Sequence, residues 1–410
     1  MATLSPVAPP GQPAPRPNSI IVFDHADGQN AHRVAQVLNV GESARAPRRR
    51  GRAVLQAGQV GQAESVVYES LGVAVAHLTN REIERLERAQ GVRRVLANER
   101  RSLPTRVAGH AEAGRGDRST TWALQAMKVE PGHTPTGRGV KVAVLDTGLD
   151  VTHPDFARFR WGPANARNFV DETGIGNIAD PHGHGTHCSG LVAGPFKPLL
   201  GPRYAVAPEA DMIVGRVLDA SGVGSDDRIL DALDWAVREA GARVLNLSLG
   251  SPRALDDPES VLYETVAFNL LHHDARGALL IAAAGNDSVP GDPALLRNPA
   301  SCASVVAVGA IDSRLNAASF SCRGGDGCEL QLVGPGVDIL SAWKDDTYVT
   351  LSGTSMAAPC ATGIAALMLE ADPTLTAVDL RTLMLGHARA LGDAETFGYG
   401  LVQWSSSRLG

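Results

Sequence analysis

The sequence has 410 residues, enough for two domains or one large domain with an extension. A hydrophobic share of 44% and a charged share of 20% are those of a soluble globular protein and argue against a disordered or fibrous chain. The formal net charge of -6 gives no reason to expect nucleic acid as a partner. No apolar run has the length of a membrane helix; the longest, around Ala278 to Ala284, reads as a buried strand. Five cysteines leave at least one unpaired. Cys322 and Cys328 enclose a Gly-rich loop, where a local disulfide and two free thiols are both open, so cysteine usage does not fix the compartment.

In chain order, residues 1–18 are rich in Pro and Ala, lack the pattern of a signal peptide and are expected to be disordered. Ser19 to Phe23 reads as a strand, and Ala31 to Leu38 as a helix with Val34, Val37 and Leu38 on one side. Arg45 to Gly58 is basic and Gly-containing, which predicts a loop. Arg48, Arg49, Arg50 and Arg52 are then a solvated stretch or a protease-sensitive or binding site. Val66 to Tyr68 and Val73 to Leu78 suggest two more strands. Thr79 followed by Glu82 forms a capping box, because each side chain can satisfy the other's backbone donor. The helix it opens carries Ile83, Leu86 and Ala89, Gly91 stops it, and Val92 to Ala97 supplies a last strand. The order β-α-β-β-α-β makes residues 19–100 a compact α+β, ferredoxin-like unit.

Residues 101–120 are polar and contain Gly109, Gly114 and Gly116, the composition of a linker. From about residue 121 to 410, apolar runs alternate with Ala-rich helical segments. Strands are expected at Val140 to Leu145, Met212 to Val217, Val244 to Leu247, Leu279 to Ala283 and Val305 to Val308. Near-continuous apolar strands separated by helices imply an α/β fold, a doubly wound and mostly parallel sheet covered on both faces. In such sheets functional groups gather at the carboxyl ends of the strands.

Three segments carry chemistry. In Val142-Ala143-Val144-Leu145-Asp146-Thr147-Gly148 a buried strand ends in a carboxylate, which either braces the turn or orients a histidine. In His182-Gly183-His184-Gly185-Thr186-His187-Cys188-Ser189-Gly190 small residues suit a tightly packed helix. The three histidines lack the i, i+4 spacing of a helical zinc pair, which leaves a histidine base as the favoured reading. In Ser352-Gly353-Thr354-Ser355-Met356-Ala357-Ala358-Pro359 a hydroxyl stands on a turn that opens a buried helix. Backbone N–H groups there favour a developing anion, while a plain N-cap is the alternative.

Taken together, in the order Asp, His, Ser, these segments resemble the three signature segments of the subtilisin-like serine protease (subtilase) family. The resemblance implies a subtilisin-type serine endopeptidase with Ser355 as nucleophile, His184 as general base and then acid, and Asp146 as the orienting carboxylate. The chain order differs from that of chymotrypsin-like enzymes and α/β-hydrolases. Ala282-Ala283-Ala284-Gly285-Asn286 resembles the family's oxyanion-hole motif, which makes the Asn286 amide a donor beside the Ser355 N–H. Asn246-Leu247-Ser248-Leu249-Gly250 resembles the strand that pairs with extended substrate. The substrate-binding set implied is Ser248, Leu249, Gly250, Ala283, Gly285 and Arg297. Asn298-Pro299-Ala300 resembles the pocket-wall turn, often cis; Arg297 before it either narrows or charges the pocket or points to solvent. A cysteine at the Cys188 position also occurs in relatives resembling proteinase K, as a small buried residue or a redox thiol.

With a protease implied, residues 19–100 resemble the family's inhibitory and chaperone propeptide, and 101–120 become a processing linker. Trp122-Ala123-Leu124 resembles the start of mature members. The expected partners are protein or peptide substrates and the chain's own propeptide as intramolecular inhibitor, with no nucleic acid, no membrane and a monomeric state. No cofactor is expected for catalysis. Structural calcium is common in the family, and acidic loops occur at Asp150 to Asp155 and at Asp226-Asp227, without a spacing that names a site. An inhibitory propeptide suits secretion, while the lack of a signal sequence leaves a cytoplasmic location or another export route open. The alternatives are a peptide ligase or macrocyclase on the same scaffold, a non-catalytic binding module, and an acid-active relative with a Glu–Asp–Ser set. His184 in the expected segment disfavours the last of these.

Overall fold

A computed structural model describes residues 18–24, 29–38, 52–55, 65–104, 107–108, 119–130, 132, 135–171, 177–253 and 259–406. The chain divides into two compact units, Met1–Glu99 and Arg100–Gly410. Most of the Pro- and Ala-rich start, Arg48 to Arg50 and residues 109–118 lie outside the described residues.

The first unit runs β1 (Ser19–Phe23), α1 (Asn30–Leu38), β2 (Arg52–Leu55), β3 (Ser65–Tyr68), β4 (Val73–Ala76), α2 (Asn80–Glu87) and β5 (Val92–Ala97). Its sheet has the order β2-β3-β4-β1-β5, every neighbour antiparallel. Ile21, Phe23, Val67, Ala74 and Ala76 face a core shared with Val34 of α1 and Leu86 of α2. The capping box forms as expected: Glu82 N donates to Thr79 Oγ1 at 3.4 Å, and Thr79 N to Glu82 Oε2 at 2.7 Å. One strand departs from the sequence reading. β2 lies within the stretch assigned to a basic loop, and adds to the sheet by pairing Arg52 to Leu55 with β3. Backbone pairing with a neighbour decides such an edge, and four residues carry too little pattern to announce it.

The second unit opens with β6 (Arg100–Ser102), β7 (Val107–Ala108) and α3 (Trp122–Ala126). β8 (Lys141–Asp146), β9 (Ala166–Asn168), α4 (His184–Ala193), β10 (Asp211–Arg216), β11 (Val223–Ser225), α5 (Asp226–Asp234) and β12 (Val244–Leu247) follow. The remainder comprises α6 (Glu259–Leu271), β13 (Leu279–Ala283), β14 (Val306–Ile311), β15 (Leu332–Pro335), β16 (Ile339–Trp343), β17 (Thr347–Ser352), α7 (Thr354–Ala371), α8 (Ala377–Gly386) and α9 (Ala394–Phe397).

Seven of these strands form one parallel sheet, in the order β15-β14-β13-β12-β8-β10-β9. The apolar runs read from sequence are its interior, and the two strands not foreseen, β9 and β15, are its edges. Val142 to Leu145, Val244, Leu245, Leu247 and Leu279 to Ala283 are all buried, as strands covered by helices on both faces must be. The sheet order brings the ends of β8, β12 and β13 side by side, so whatever follows these three strands shares one edge of the molecule. α4 and α7 are buried along nearly their whole length, built from Gly, Ala, Ser, Thr and Cys that allow close packing.

Candidate active site

Asp146 is the last residue of β8, and His184 is the first of α4. His184 Nδ1 lies 2.8 Å from Asp146 Oδ1 and 3.0 Å from Oδ2, with both side chains buried. Since Nδ1 is held by the carboxylate, Nε2 is the ring nitrogen able to take a proton. Burial pushes the imidazolium down, but the Asp146 carboxylate more than offsets this, and the His184 pKa lies well above its ordinary value.

The approach of α4 to β8 depends on Gly185, where an added Cβ would stand 2.3 Å from the Gly148 carbonyl oxygen. A residue absent from the sequence reading fixes the helix start. Asp180 accepts from Gly183 N at 2.8 Å, His182 N at 3.0 Å and Thr186 N at 2.9 Å, and from the hydroxyls of Thr147 and Thr186, both at 2.8 Å. Its sequence signal is a carboxylate shortly before a glycine-opened helix, the position that satisfies orphan N–H groups and suits the helix dipole.

Ser355 is the second residue of α7, after Gly353 as N-cap. His184, Ser355 and Asn286 line one cleft together with His182, Trp343 and Met356. The Ser355 hydroxyl donates to the Ser248 carbonyl at 3.4 Å, near the outer limit of hydrogen bonding, so the expected serine–histidine bond is replaced by a weak one. The carbonyl of Ser355 has lost its usual helical donor, because residue 359 is proline and has no N–H. Ser248 Oγ at 3.0 Å and Cys188 Sγ at 3.4 Å donate to it instead. Cys188 is therefore a buried donor to the serine turn, and burial pushes its thiol pKa up, which keeps it protonated.

Asn286 follows the end of β13. Its Oδ1 accepts from Thr354 N at 2.9 Å and Thr354 Oγ1 at 2.8 Å, which fixes the orientation of the amide. Its Nδ2 lies beside Gly353, within 3.1 Å of where a Cβ there would stand. Gly285, at φ +114°, has no room for a side chain against the Arg297 stem and the Cys322 sulfur, and its N–H donates to Thr354 Oγ1 at 3.1 Å.

The substrate-binding set divides. Gly250 pairs with Ser102, with N···O distances of 3.0 and 3.3 Å. The Ser248 hydroxyl braces the Ser355 carbonyl, the Ser248 carbonyl faces the Ser355 hydroxyl, and the Leu249 and Ala283 side chains are buried. Arg297 is only 7% exposed, which removes the solvent-facing alternative; its stem packs against Gly285 and its Nε lies 3.3 Å from Asp287. The Asn298–Pro299 bond is cis. Cys322 and Cys328 are free thiols.

The three histidines do not converge. His187 Nε2 bonds the carbonyls of Ile339 and Val349 at 3.1 Å, while His184 bonds Asp146. The carboxylates of the acidic loops are hydrogen-bonded within the chain. Asp150 accepts from Thr152 and the Asp345 N–H, Asp155 from Tyr204 and the Leu199 N–H, and Asp226 holds a guanidinium.

One feature of the cleft leaves no trace in residue composition. β6, inside the stretch read as linker, pairs antiparallel with β11, matching Val223 with Ser102, Gly224 with Arg101 and Ser225 with Arg100. On its other side Ser102 pairs with Gly250, and Leu103 N donates to the Gly222 carbonyl at 3.0 Å. Ser102, Leu103 and Pro104 line the cleft that holds Ser355, and beyond it β7 pairs with Leu351 and Ser352 of β17.

Comparison with known proteins agrees with this fold. Residues 137–400 match the subtilase family as a whole. The chain belongs to the subtilase family. It is 38% identical over 286 residues to Subtilisin Savinase of Lederbergia lenta, covering 69% of this chain and 97% of the relative. It is 38% identical over 294 residues to M-protease of Shouchella clausii, covering 71% and 70%. With Subtilisin E of Bacillus subtilis it shares 35% over 286 residues, covering 69% and 70%. This subtilase is accordingly a serine endopeptidase with the subtilisin-like α/β fold.

Proposed function

We propose that this subtilase is a self-processing zymogen, in which Asp146, His184 and Ser355 cut the chain's own backbone between Leu103 and Val107. The reading is carried by residues 100–104 and 107–108. The first stretch is held as an added strand between β11 and Gly250 and lines the cleft that holds Ser355, and the second pairs with β17. An enzyme that grips substrate through backbone pairing would hold a peptide in this way.

In the first step the Ser355 hydroxyl leaves its 3.4 Å contact with Ser248, gives its proton to His184 Nε2, and its oxygen bonds the peptide carbonyl carbon. The charge on the carbonyl oxygen is met by Asn286 Nδ2 and the Ser355 N–H, at the start of α7. His184 then protonates the departing amine as the C–N bond breaks, leaving an acyl-enzyme. Water, losing a proton to His184, releases the carboxylate and restores Ser355. Arg297 fills space between Gly285 and Gly250, and favours a small residue before the cut. Met1–Glu99, a unit with its own core, is then the inhibitory and folding-assisting propeptide.

The test is intact mass of the full chain, wild type and Ser355→Ala, over time after expression. Wild type is expected to yield a new N-terminus at residues 104–107, or further downstream after secondary trimming, while Ser355→Ala stays whole. Equal processing of both would remove the reading.

A further inference from the structure

Arg101 occupies a site that backbone pairing does not require. Its Nε and Nη2 donate to the two oxygens of Asp226 at 2.5 and 2.7 Å, and its Nη1 to Ser251 Oγ at 2.6 Å. The guanidinium carbon stands 5.4 Å from the centre of the Tyr263 ring, and the Tyr263 hydroxyl donates to Asp226 Oδ1 at 2.6 Å. Both members of the ion pair are 1% exposed. Asp226 opens α5, immediately after the strand that pairs with β6, so its carboxylate is built into the wall of the cleft.

From this geometry we infer that Asp226, with Tyr263 and Ser251, is a specificity site that selects arginine in protein substrates, at the position two residues ahead of the one occupied by Leu103. The inference rests on the endopeptidase reading of the Ser355 cleft. Three facts support it. The contact is bidentate and planar, the form in which guanidinium outperforms ammonium. Tyr263 adds an aromatic face to the cation. A buried carboxylate whose cation departs is strongly disfavoured, so the pocket demands positive charge from each peptide that follows. Arg101 is thus the first ligand of a site that later substrates refill. The adjacent Arg100, also on β6, is exposed, which shows that basic character in the segment is not enough for burial.

The test uses quenched-fluorescent peptides spanning residues 98–110, with the Arg101 position as Arg, Lys, Leu or Glu, digested by the processed full-length product. In wild type, kcat/KM for Arg is expected to exceed that for Leu about 100-fold, with Lys between them and Glu lowest. In Asp226→Asn the Arg-to-Leu ratio is expected to fall below about 5-fold. Rates for Arg and Leu within a few-fold in wild type would overturn the site, as would an unchanged ratio in Asp226→Asn. Should that variant fail to mature, the wild-type peptide series decides alone. Arg101→Leu in the full chain, read by intact mass, adds an independent measure, with about 10-fold or more slower self-processing expected. Fluorophosphonate labelling of Ser355 and digestion of unfolded casein report separately on the protease itself. Failure there removes the catalytic reading, whereas activity without arginine preference removes only the Asp226 site.

Discussion

The second unit holds two buried helices that start at a glycine and present a reactive side chain within their first two residues, yet their starts carry opposite electrostatic loads. At α4 the orphan N–H groups are taken by a carboxylate: Asp180 binds Gly183 N and Thr186 N, and ties in Thr147. At α7 the N-cap is Gly353, with no side chain to cap, and the Thr354 N–H goes to a neutral amide oxygen of Asn286. A helix start attracts about half a positive charge's worth of anion. At α4 that attraction is used up in the resting protein, which locks the histidine in place. On the proposed mechanism, at α7 it is left for charge that arises only during reaction, so that one element, filled or kept open, gives a rigid base or an anion site.

The largest effect that bears on this comparison is expected at Asp146→Asn, which leaves α4 in place but removes the charge facing its histidine. The kcat is expected to fall by about 10⁴. The pH profile gives the sign. As the proposed base His184 acts only when neutral, and Asp146 raises its pKa, so the wild-type acid limb of kcat/KM is expected above the ordinary imidazole range. Without the carboxylate the proton is held less tightly, and the residual activity should show its limb at lower pH. A limb that stays put would mean that Asp146 does not face His184 in the working enzyme. Next in size is Asn286→Ala, at the open helix start. Loss of one oxyanion donor predicts a fall of about 10²–10³ in kcat with KM nearly unchanged. A change confined to KM would show instead that the amide contacts the ground-state substrate.

How much of this was legible in the sequence varies with the kind of force involved. β8, β12 and β13 are recognisable because burial on both faces leaves an unbroken apolar run. The edge strands β9, β15 and β2 have few residues and take their identity from a neighbour's backbone, which composition does not record. Asp146, His184, Ser355 and Asn286 stand in distinctive local strings, so their roles could be proposed before any geometry. Asp180 is harder to read, because a carboxylate shortly before a glycine-opened helix announces the helix start but not the loop that brings Thr147 to it. Residues 101–104 read as linker because backbone pairing, which any side chains permit, supplies part of their hold on the cleft, and the ion pair of Arg101 leaves no mark on local composition. Asp226 was visible only as an acidic residue in a loop. Its partner lies 125 residues earlier in the chain, and no local window contains both.

The smallest expected effect tests the filled helix start. Asp180→Asn keeps the shape of the side chain, but replaces a charged acceptor of five hydrogen bonds with an amide whose nitrogen can only donate. Thr186 donates to Asp180 Oδ2 through both N–H and hydroxyl, and Thr147, His182 and Gly183 all donate to Oδ1. Either flip of the amide therefore sets an NH₂ against donors, and loses the charge at the dipole's positive end. The stability cost is about 2 kcal/mol, read as a lower denaturant midpoint at unchanged slope. The effect on kcat should be about 10-fold, below that at Asn286, because Asp180 acts only by positioning His184. Asp180→Glu, which restores the charge one methylene further out, should recover part of the stability but little of the rate. If Asp180→Asn were instead neutral for stability, the carboxylate would not be anchoring the start of α4, and the contrast between the two helix starts would reduce to the oxyanion site alone.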